Sequence, residues 1–226
     1  MCIRYALSAS RQELIREFGV HACPETFPAG YNLGPSQLLP IICLGEDGKR
    51  VVRLQWWGLS PPGAGNGKRH ATLANARAES LAKKPSLHEA YRERRCIVPA
   101  SGFFEWAEEG LEHRPNYVQP VAGSLLGLAA IWEYGPEGAE GPGTFVILTV
   151  QANERLMAIH HRMPIILEPG DYGAWLDPQT PRQDVARLAH RCTPADRLLA
   201  YPVSPAVNQA DNNSPDVIKP LRSAVF

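Results

Sequence analysis

Short apolar runs bounded by turn-forming residues dominate the hydrophobic pattern of this chain. Apolar, β-branched or aromatic runs predict strands at residues 51–56, 96–98, 125–128, 144–150 and 197–201, after a first strand at the N-terminus. Segments rich in Pro and Gly predict surface loops, but the apolar pattern resumes beyond each of them. No internal repeat or heptad pattern is present. The pattern therefore predicts an α+β fold rich in sheet.

Capping signals predict three helices. Ser10 and Glu13 have the spacing of a capping box, apolar residues follow on one helical face, and Gly19 is placed to end the helix. The same spacing at Ser86 and at Thr180 predicts two further helices, the second with a proline in its first helical position.

Composition narrows the class of protein. The chain has 226 residues, of which 44% are hydrophobic and 20% charged, and its 23 basic and 23 acidic residues cancel. An anionic ligand would therefore have to be held by a local arginine cluster. The five cysteines show no CxxC or Cys/His ligand spacing, which disfavours a disulfide framework and a zinc site. Without a signal-peptide pattern or a long apolar stretch, we expect a cytoplasmic protein that does not span a membrane.

The first two residues carry the most distinctive chemistry. Removal of Met1 would leave Cys2 with an α-amine and a thiol on adjacent carbons, a pair that can close a five-membered ring onto an aldehyde. Reference pKa values of about 7.7–8.0 for the amine and about 8.5 for the thiol leave both nucleophiles partly available at neutral pH. We expect this chemistry to need no cofactor.

Glu105 lies among large apolar residues. On a strand it shares one face with Phe103, while Phe104 and Trp106 share the other. A buried carboxyl holds its proton more tightly and can act as an acid or a base near neutral pH. The pattern leaves open the commoner alternative, a glutamate at a strand end that reaches solvent.

Two further polar clusters allow more than one interpretation. His160 and His161 would point about 100° apart on a helix, so only one could face a given pocket, and their spacing does not choose between them. Arg162 could bind a phosphate or pair with an acid, and Asn75 and Arg77 pose the same choice between a site and an ordinary helix surface.

Several short motifs nevertheless occur together and in one order along the chain. The motifs are Met1-Cys2-x-Arg4-Tyr5, Tyr31-Asn32-x-x-Pro35, Trp57-Gly58-Leu59-x-Pro61, Asn75-Ala76-Arg77-Ala78-Glu79, Arg95-Cys96-x-x-Pro99-Ala100-x-Gly102-Phe103-x-Glu105-Trp106, Ile159-His160-x-Arg162-Met163-Pro164 and Val203-Ser204-x-x-Val207-Asn208. In their residues and their order, these motifs resemble the SOS response-associated peptidase (SRAP) family.

The resemblance implies a single SRAP domain over residues 1–226, with a mostly antiparallel, barrel-like sheet flanked by short helices. It implies a monomeric protein that removes its own Met1 and then joins Cys2 to abasic sites in single-stranded DNA as a thiazolidine, with a possible lyase-like activity and without a metal or cofactor. The implied catalytic residues are Cys2, Asn75, Glu105 and His160, and the implied DNA-binding residues are Arg4, Arg77, Arg162 and Trp106.

Each catalytic residue has an expected role in this scheme. Asn75 would orient the Cys2 amine or the sugar, and Glu105 would shuttle protons. His160, which the resemblance selects over His161, would assist opening of the sugar.

Two departures from the family pattern bear on DNA affinity. Ile3 stands where glycine is usual, so we expect a more restricted backbone or a smaller pocket. The loop after Pro61 lacks the tryptophans that often stack on bases, so we expect weaker non-covalent binding with the covalent step intact.

Two rival hypotheses stay open at this point. One is a cysteine hydrolase that uses its N-terminal nucleophile on amides. The other is a DNA-binding module that keeps Met1 and binds without a covalent bond.

Overall fold

The computed structural model describes residues 2–59, 73–81, 84–109, 112–123, 125–135 and 141–221. In these ranges the chain forms β-strands and short α-helices, joined by turns and short 3₁₀ helices. The strands are β1 Arg4–Leu7, β2 Gly30–Leu33, β3 Leu38–Leu44, β4 Arg50–Trp57, β5 Asn75–Arg77, β6 Arg95–Ala100, β7 Gly102–Glu109, β8 Glu112–Pro120, β9 Leu126–Glu133, β10 Thr144–Gln151, β11 Arg162–Pro164, β12 Ile166–Leu167 and β13 Leu198–Pro202. The helices are α1 Arg11–Phe18, α2 Ala78–Leu81, α3 Pro85–Glu93, α4 Glu154–Met157, α5 Tyr172–Leu176 and α6 Arg182–Ala189.

The larger of two sheets closes into a barrel. Strands β10, β4, β3, β6 and β9 pair in that order, and β9 pairs back with β10 to complete the ring. The pairings of β10 with β4 and with β5 are parallel, whereas the other pairings are antiparallel. The predicted α+β class with a mostly antiparallel, barrel-like sheet is confirmed.

The second sheet has the order β13-β8-β7-β1-β2 and is antiparallel throughout. Its strand β7 alternates as the sequence predicts. Phe103 packs into the main core, while Phe104 packs on the other side into a smaller cluster that Trp106 partly covers. Glu105 therefore shares the core-facing side of β7, and its residue is only 3% exposed.

Gly102, at the start of β7, permits a close approach between β7 and β8. A Cβ atom at this position would lie 2.5 Å from the Tyr117 ring and from the carbonyl oxygen of Val118. Only a residue without a side chain fits this contact, which sets the spacing of the two strands.

The three predicted helices all form, but two of them begin elsewhere than predicted. Helix α1 has the full capping box at Ser10, and Gly19 ends it in a left-handed conformation with φ of 60°. Helix α3 instead begins at Pro85, so Ser86 lies inside it. Helix α6 begins at Arg182 with Pro181 at its N-cap, one residue later than predicted, because the Val185 N–H donates to the Pro181 carbonyl.

Each predicted strand is also present, with bounds shifted by a few residues at most. Strands β6, β9 and β10 are buried along nearly their whole length, which explains their continuous apolar runs. Among the described helices, none is long and apolar enough to cross a membrane.

Candidate functional site

A cleft of about 500 Å³ opens beside the N-terminal strand. We call it the N-terminal cleft. Its lining residues are Ile3, Arg4, Glu105, Trp106, His113, His160, Val207 and Asn208.

The pairing of β1 with β7 brings the N-terminal segment close to the Glu105 carboxylate. Strands β1 and β7 are antiparallel, with Arg4 opposite Phe104 and Tyr5 opposite Phe103. Ile3, directly before Arg4, therefore lies near Glu105, and both residues line the cleft. The electrostatic influence of Glu105 on the Cys2 thiol agrees with this register.

Cys2 is fully buried in this unprocessed chain. Its backbone carbonyl accepts a hydrogen bond of 2.8 Å from the amide of Asn75, and its Sγ lies 3.8 Å from the Arg4 carbonyl oxygen. Burial, and next the negative charge of Glu105, raise the pKa of the thiol well above its ordinary value. The thiol is therefore protonated at neutral pH and needs a base before it can react.

Glu105 has the properties of such a base. Burial raises the pKa of its carboxyl from 4.5 to about 7. The carboxyl thus changes charge near neutral pH and can both take and return a proton. Of the two alternatives that the sequence left open, the structure has the buried carboxylate.

His160 faces Glu105, whereas His161 is exposed. The Nδ1 atom of His160 lies 3.7 Å from Glu105 Oε1 and accepts a hydrogen bond of 2.9 Å from the Arg162 backbone N–H. The rings of the two histidines stack, with their centroids 4.3 Å apart. The turn between α4 and β11 therefore aims one histidine into the cleft and leaves the other outside.

Asn75 reaches Cys2 from the barrel. It begins β5, which runs parallel to β10 with Asn75 opposite Ile147. Its amide donates to Cys2, and its Oδ1 is buried without a hydrogen-bond partner in the described part of the chain. An unused buried acceptor beside Cys2 is suited to receiving an N–H group.

The three arginines predicted to bind DNA have different surroundings. Arg4 lines the cleft and donates to Asn32 Oδ1 at 3.2 Å, and Arg77 is exposed. Arg162 is only 8% exposed, and both of its terminal nitrogens donate to Glu79, at 2.8 and 2.9 Å. Arg162 would have to share or exchange this partner to bind a phosphate, so its predicted role stays a prediction.

Trp106 forms one wall of the cleft and is fixed by Asn208. Its Nε1 donates to Asn208 Oδ1 at 2.8 Å. The segment that carries Asn208 is in turn tied down by Asn32, whose amide donates to the carbonyls of Val207, Gln209 and Asn212 at 3.0–3.1 Å. The polar residues of two motifs thus serve to hold an aromatic wall.

Three residues of this region have no role predicted from the sequence. His113 lines the cleft from β8, and no motif marked it. Asn208 and Glu79 lie within quoted motifs but carried no role. Ile3 lines the cleft and is 43% exposed, in agreement with the expectation that its side chain takes up space there. The loop predicted to lack stacking tryptophans lies outside the described residues.

Comparisons with known proteins agree with these motifs. The family model described as SOS response associated peptidase (SRAP) matches residues 1–210. The chain is 34% identical to the abasic site processing protein YoqW of Bacillus subtilis, over 97% of this chain and 99% of that protein. It is 29% identical to the abasic site processing protein YedK of Escherichia coli, over 98% and 100% of the two chains.

A solved structure has the same fold. The crystal structure of a protein from Bacteroides thetaiotaomicron matches with a TM-score of 0.85 and 25% identity, over 98% of this chain and 100% of that chain. This likeness agrees with the match to the family model and with the relative that is 34% identical over nearly its whole length. The chain belongs to the SOS response associated peptidase (SRAP) family.

Proposed function

We propose that this protein senses and shields abasic sites in single-stranded DNA by forming a covalent bond through Cys2 after Met1 has been removed. The observation that carries the proposal is that Glu105 and His160 line one cleft and that Cys2, which is hydrogen-bonded to Asn75, lies close to Glu105. Residues far apart in sequence meet there around an aminothiol precursor. The names of its relatives, which describe abasic site processing, support the same substrate.

The first step would be hydrolysis of the Met1–Cys2 peptide bond. Water supplies a hydroxyl to the methionine carboxyl and a proton to the new amine, so methionine leaves and Cys2 becomes the N-terminus. Because Cys2 is fully buried in the unprocessed chain, its reaction with DNA requires a change at this end of the molecule. We assign that change to the loss of Met1.

The second step would join the amine to the aldehyde of the ring-opened sugar. The amine nitrogen attacks the aldehyde carbon, and loss of one water gives an imine. The unused Oδ1 of Asn75 is placed to accept from the amine, and His160 would assist opening of the sugar and departure of water.

Ring closure would follow through the thiol. Glu105 takes the thiol proton, the sulfur adds to the imine carbon, and the nitrogen receives a proton, which gives a thiazolidine. A saturated ring no longer acidifies the neighbouring sugar proton, so the strand is protected from β-elimination.

The DNA strand would lie along the N-terminal cleft. Arg4, which is partly buried, and Arg77, which is exposed, offer guanidinium groups for phosphates flanking the lesion, and the Trp106 ring offers an apolar wall for the sugar or a base. We propose a monomer that acts in the cytoplasm, and an autopeptidase activity whose lyase-like branch is the breakdown of the imine.

A crosslinking experiment tests the proposal. A uracil-containing single strand treated with uracil glycosylase is mixed with the protein, and a denaturing gel is examined for a slow band. Cys2→Ala should abolish the stable band, whereas Cys192→Ala, at an exposed cysteine, should leave it unchanged. Intact mass measured in parallel should show that Met1 is absent.

The alternatives predict other outcomes. A band of equal intensity from Cys2→Ala would reject the thiazolidine. Burst kinetics on an amide without any DNA adduct would favour the hydrolase, and a retained Met1 with purely reversible binding would favour the non-covalent module.

A further inference from the structure

Glu79 and Arg162 form a bidentate ion pair close to the N-terminal cleft. Arg162 Nη1 lies 2.8 Å from Glu79 Oε1, and Nη2 lies 2.9 Å from Oε2. The arginine side chain is 9% exposed, whereas the glutamate side chain is half exposed. A planar guanidinium held through two parallel hydrogen bonds has a fixed orientation, which a single contact would not impose.

The ion pair joins two segments that carry site residues. Glu79 is in α2, directly after the strand that carries Asn75, and Arg162 begins β11, directly after His160. Strands β5 and β11 both pair with β10. On β10, Thr149 lies opposite Arg77 of β5 and opposite Pro164 of β11. Arg162 Nη2 also donates to the Thr149 carbonyl oxygen at 2.6 Å, so the pair spans β10 and is anchored to it.

The backbone of Arg162 contacts the ring of His160. Its N–H lies 2.9 Å from His160 Nδ1, and its carbonyl oxygen lies 3.2 Å from the same atom. A backbone N–H can only donate, so a proton on Nδ1 would face another donor at the shorter of these distances. The neutral ring therefore accepts at Nδ1 and carries its proton on Nε2.

We propose that Glu79 is a positioning residue for the reaction proposed above: by fixing Arg162, it holds the Arg162 N–H against His160 Nδ1, and so sets the tautomer and direction of the histidine facing Glu105. The inference rests on the proposed function. It assigns to Glu79 neither contact with DNA nor a part in proton transfer.

The charge state of Glu79 suits this role. The hydrogen bond from Arg162 lowers its pKa from 4.5 to about 2, so the carboxylate stays ionised near neutral pH, where Glu105 changes charge. The ion pair therefore keeps both of its charges while Glu105 takes up or releases a proton.

Glu79→Gln tests the proposal, because it keeps the shape of the side chain and removes the charge. We expect the rate of crosslink formation with abasic single-stranded DNA to fall roughly 10- to 100-fold, as misplacement of a reacting group does elsewhere. The ¹⁵N shifts of the His160 ring, assigned by their loss in His160→Gln, should move from the Nε2–H pattern towards a mixture of tautomers. Glu79→Asp, which keeps the charge, should restore part of the rate.

Two control variants distinguish a specific effect of Glu79 from a general effect of removing a negative charge. Glu25→Gln changes an exposed glutamate and should alter neither the rate nor the histidine spectrum. Arg162→Lys keeps a positive charge but loses the planar fork, so it should shift the histidine spectrum in the same direction as Glu79→Gln. Thermal unfolding establishes that each variant is folded before the rates are compared.

Specific results would overturn the inference. An unchanged rate and an unchanged His160 spectrum in Glu79→Gln would reject it. So would tighter binding to undamaged single-stranded DNA with a salt slope steeper by about one, because Glu79 would then be a competitor of phosphate for Arg162. If the unsubstituted protein formed no adduct at all, the proposed function would fail, while the histidine spectra would still measure the effect of Glu79.

Discussion

Replacement of Glu105 by glutamine should change how the stability of the protein depends on pH. Glu105 is 3% exposed, and burial raises the pKa of its carboxyl from 4.5 to about 7. Each pKa unit corresponds to about 1.4 kcal/mol, so the ionised carboxylate costs the folded protein about 3 kcal/mol relative to the protonated form.

The sign follows from proton binding. Between pH 4.5 and about 7 the unfolded chain has lost this proton while the folded protein still holds it. The free energy of unfolding therefore falls as pH rises through this window and is lower by about 3 kcal/mol above pH 7. Glutamine has no such proton, so Glu105→Gln should gain about 3 kcal/mol of stability relative to the parent protein as pH rises across the window.

Urea denaturation at a series of pH values from 4 to about 8 measures this difference, because the other ionisable groups titrate in both proteins and cancel. Intact mass is used to select fractions with the same N-terminus. Glu25→Gln serves as the matched control at an exposed position. Parallel stability curves for Glu105→Gln and the parent protein would refute the assignment of a buried carboxyl with a raised pKa.

Three further substitutions test other parts of the structure. Asn75→Ala leaves the buried carbonyl of Cys2 without its donor and should lower the free energy of unfolding by about 1–3 kcal/mol in urea denaturation, and equal stability would contradict the contact. Gly102→Ala should destabilise by about 1–3 kcal/mol because the new methyl group meets the Tyr117 ring at 2.5 Å, and an unchanged melting temperature would show that the strands can separate without loss. Arg77→Gln, at an exposed position, should weaken binding to single-stranded DNA and reduce the salt slope by about one, and an identical slope would remove Arg77 from the phosphate contacts.

Features encoded by neighbouring residues could be read from the sequence. The capping box at Ser10 and the ending of α1 at Gly19 depend on groups within a few residues of each other, and both form as predicted. The alternation along β7 likewise follows from strand geometry, which places Phe103 and Phe104 in different clusters. Ser86 and Thr180 carry the same local signal, but α3 begins at Pro85 and α6 begins at Arg182, so neither residue is an N-cap.

Strand β8 shows where the local pattern is insufficient. The strand β8 contains Pro115 and Pro120, which favour a loop in a sequence analysis. The segment forms a strand because it pairs with β7 on one side and with β13 on the other, and its own residues do not encode those pairings.

The sequence by itself determined the fold class, the family resemblance and the set of candidate residues, because these depend on residue types, spacing and order. Only the tertiary structure decided that Glu105 is buried, that the Nδ1 atom of His160 lies against its carboxyl, and that Arg162 is paired with Glu79. Burial and pairing arise from strand register and barrel closure between distant segments, and no local pattern specifies those contacts.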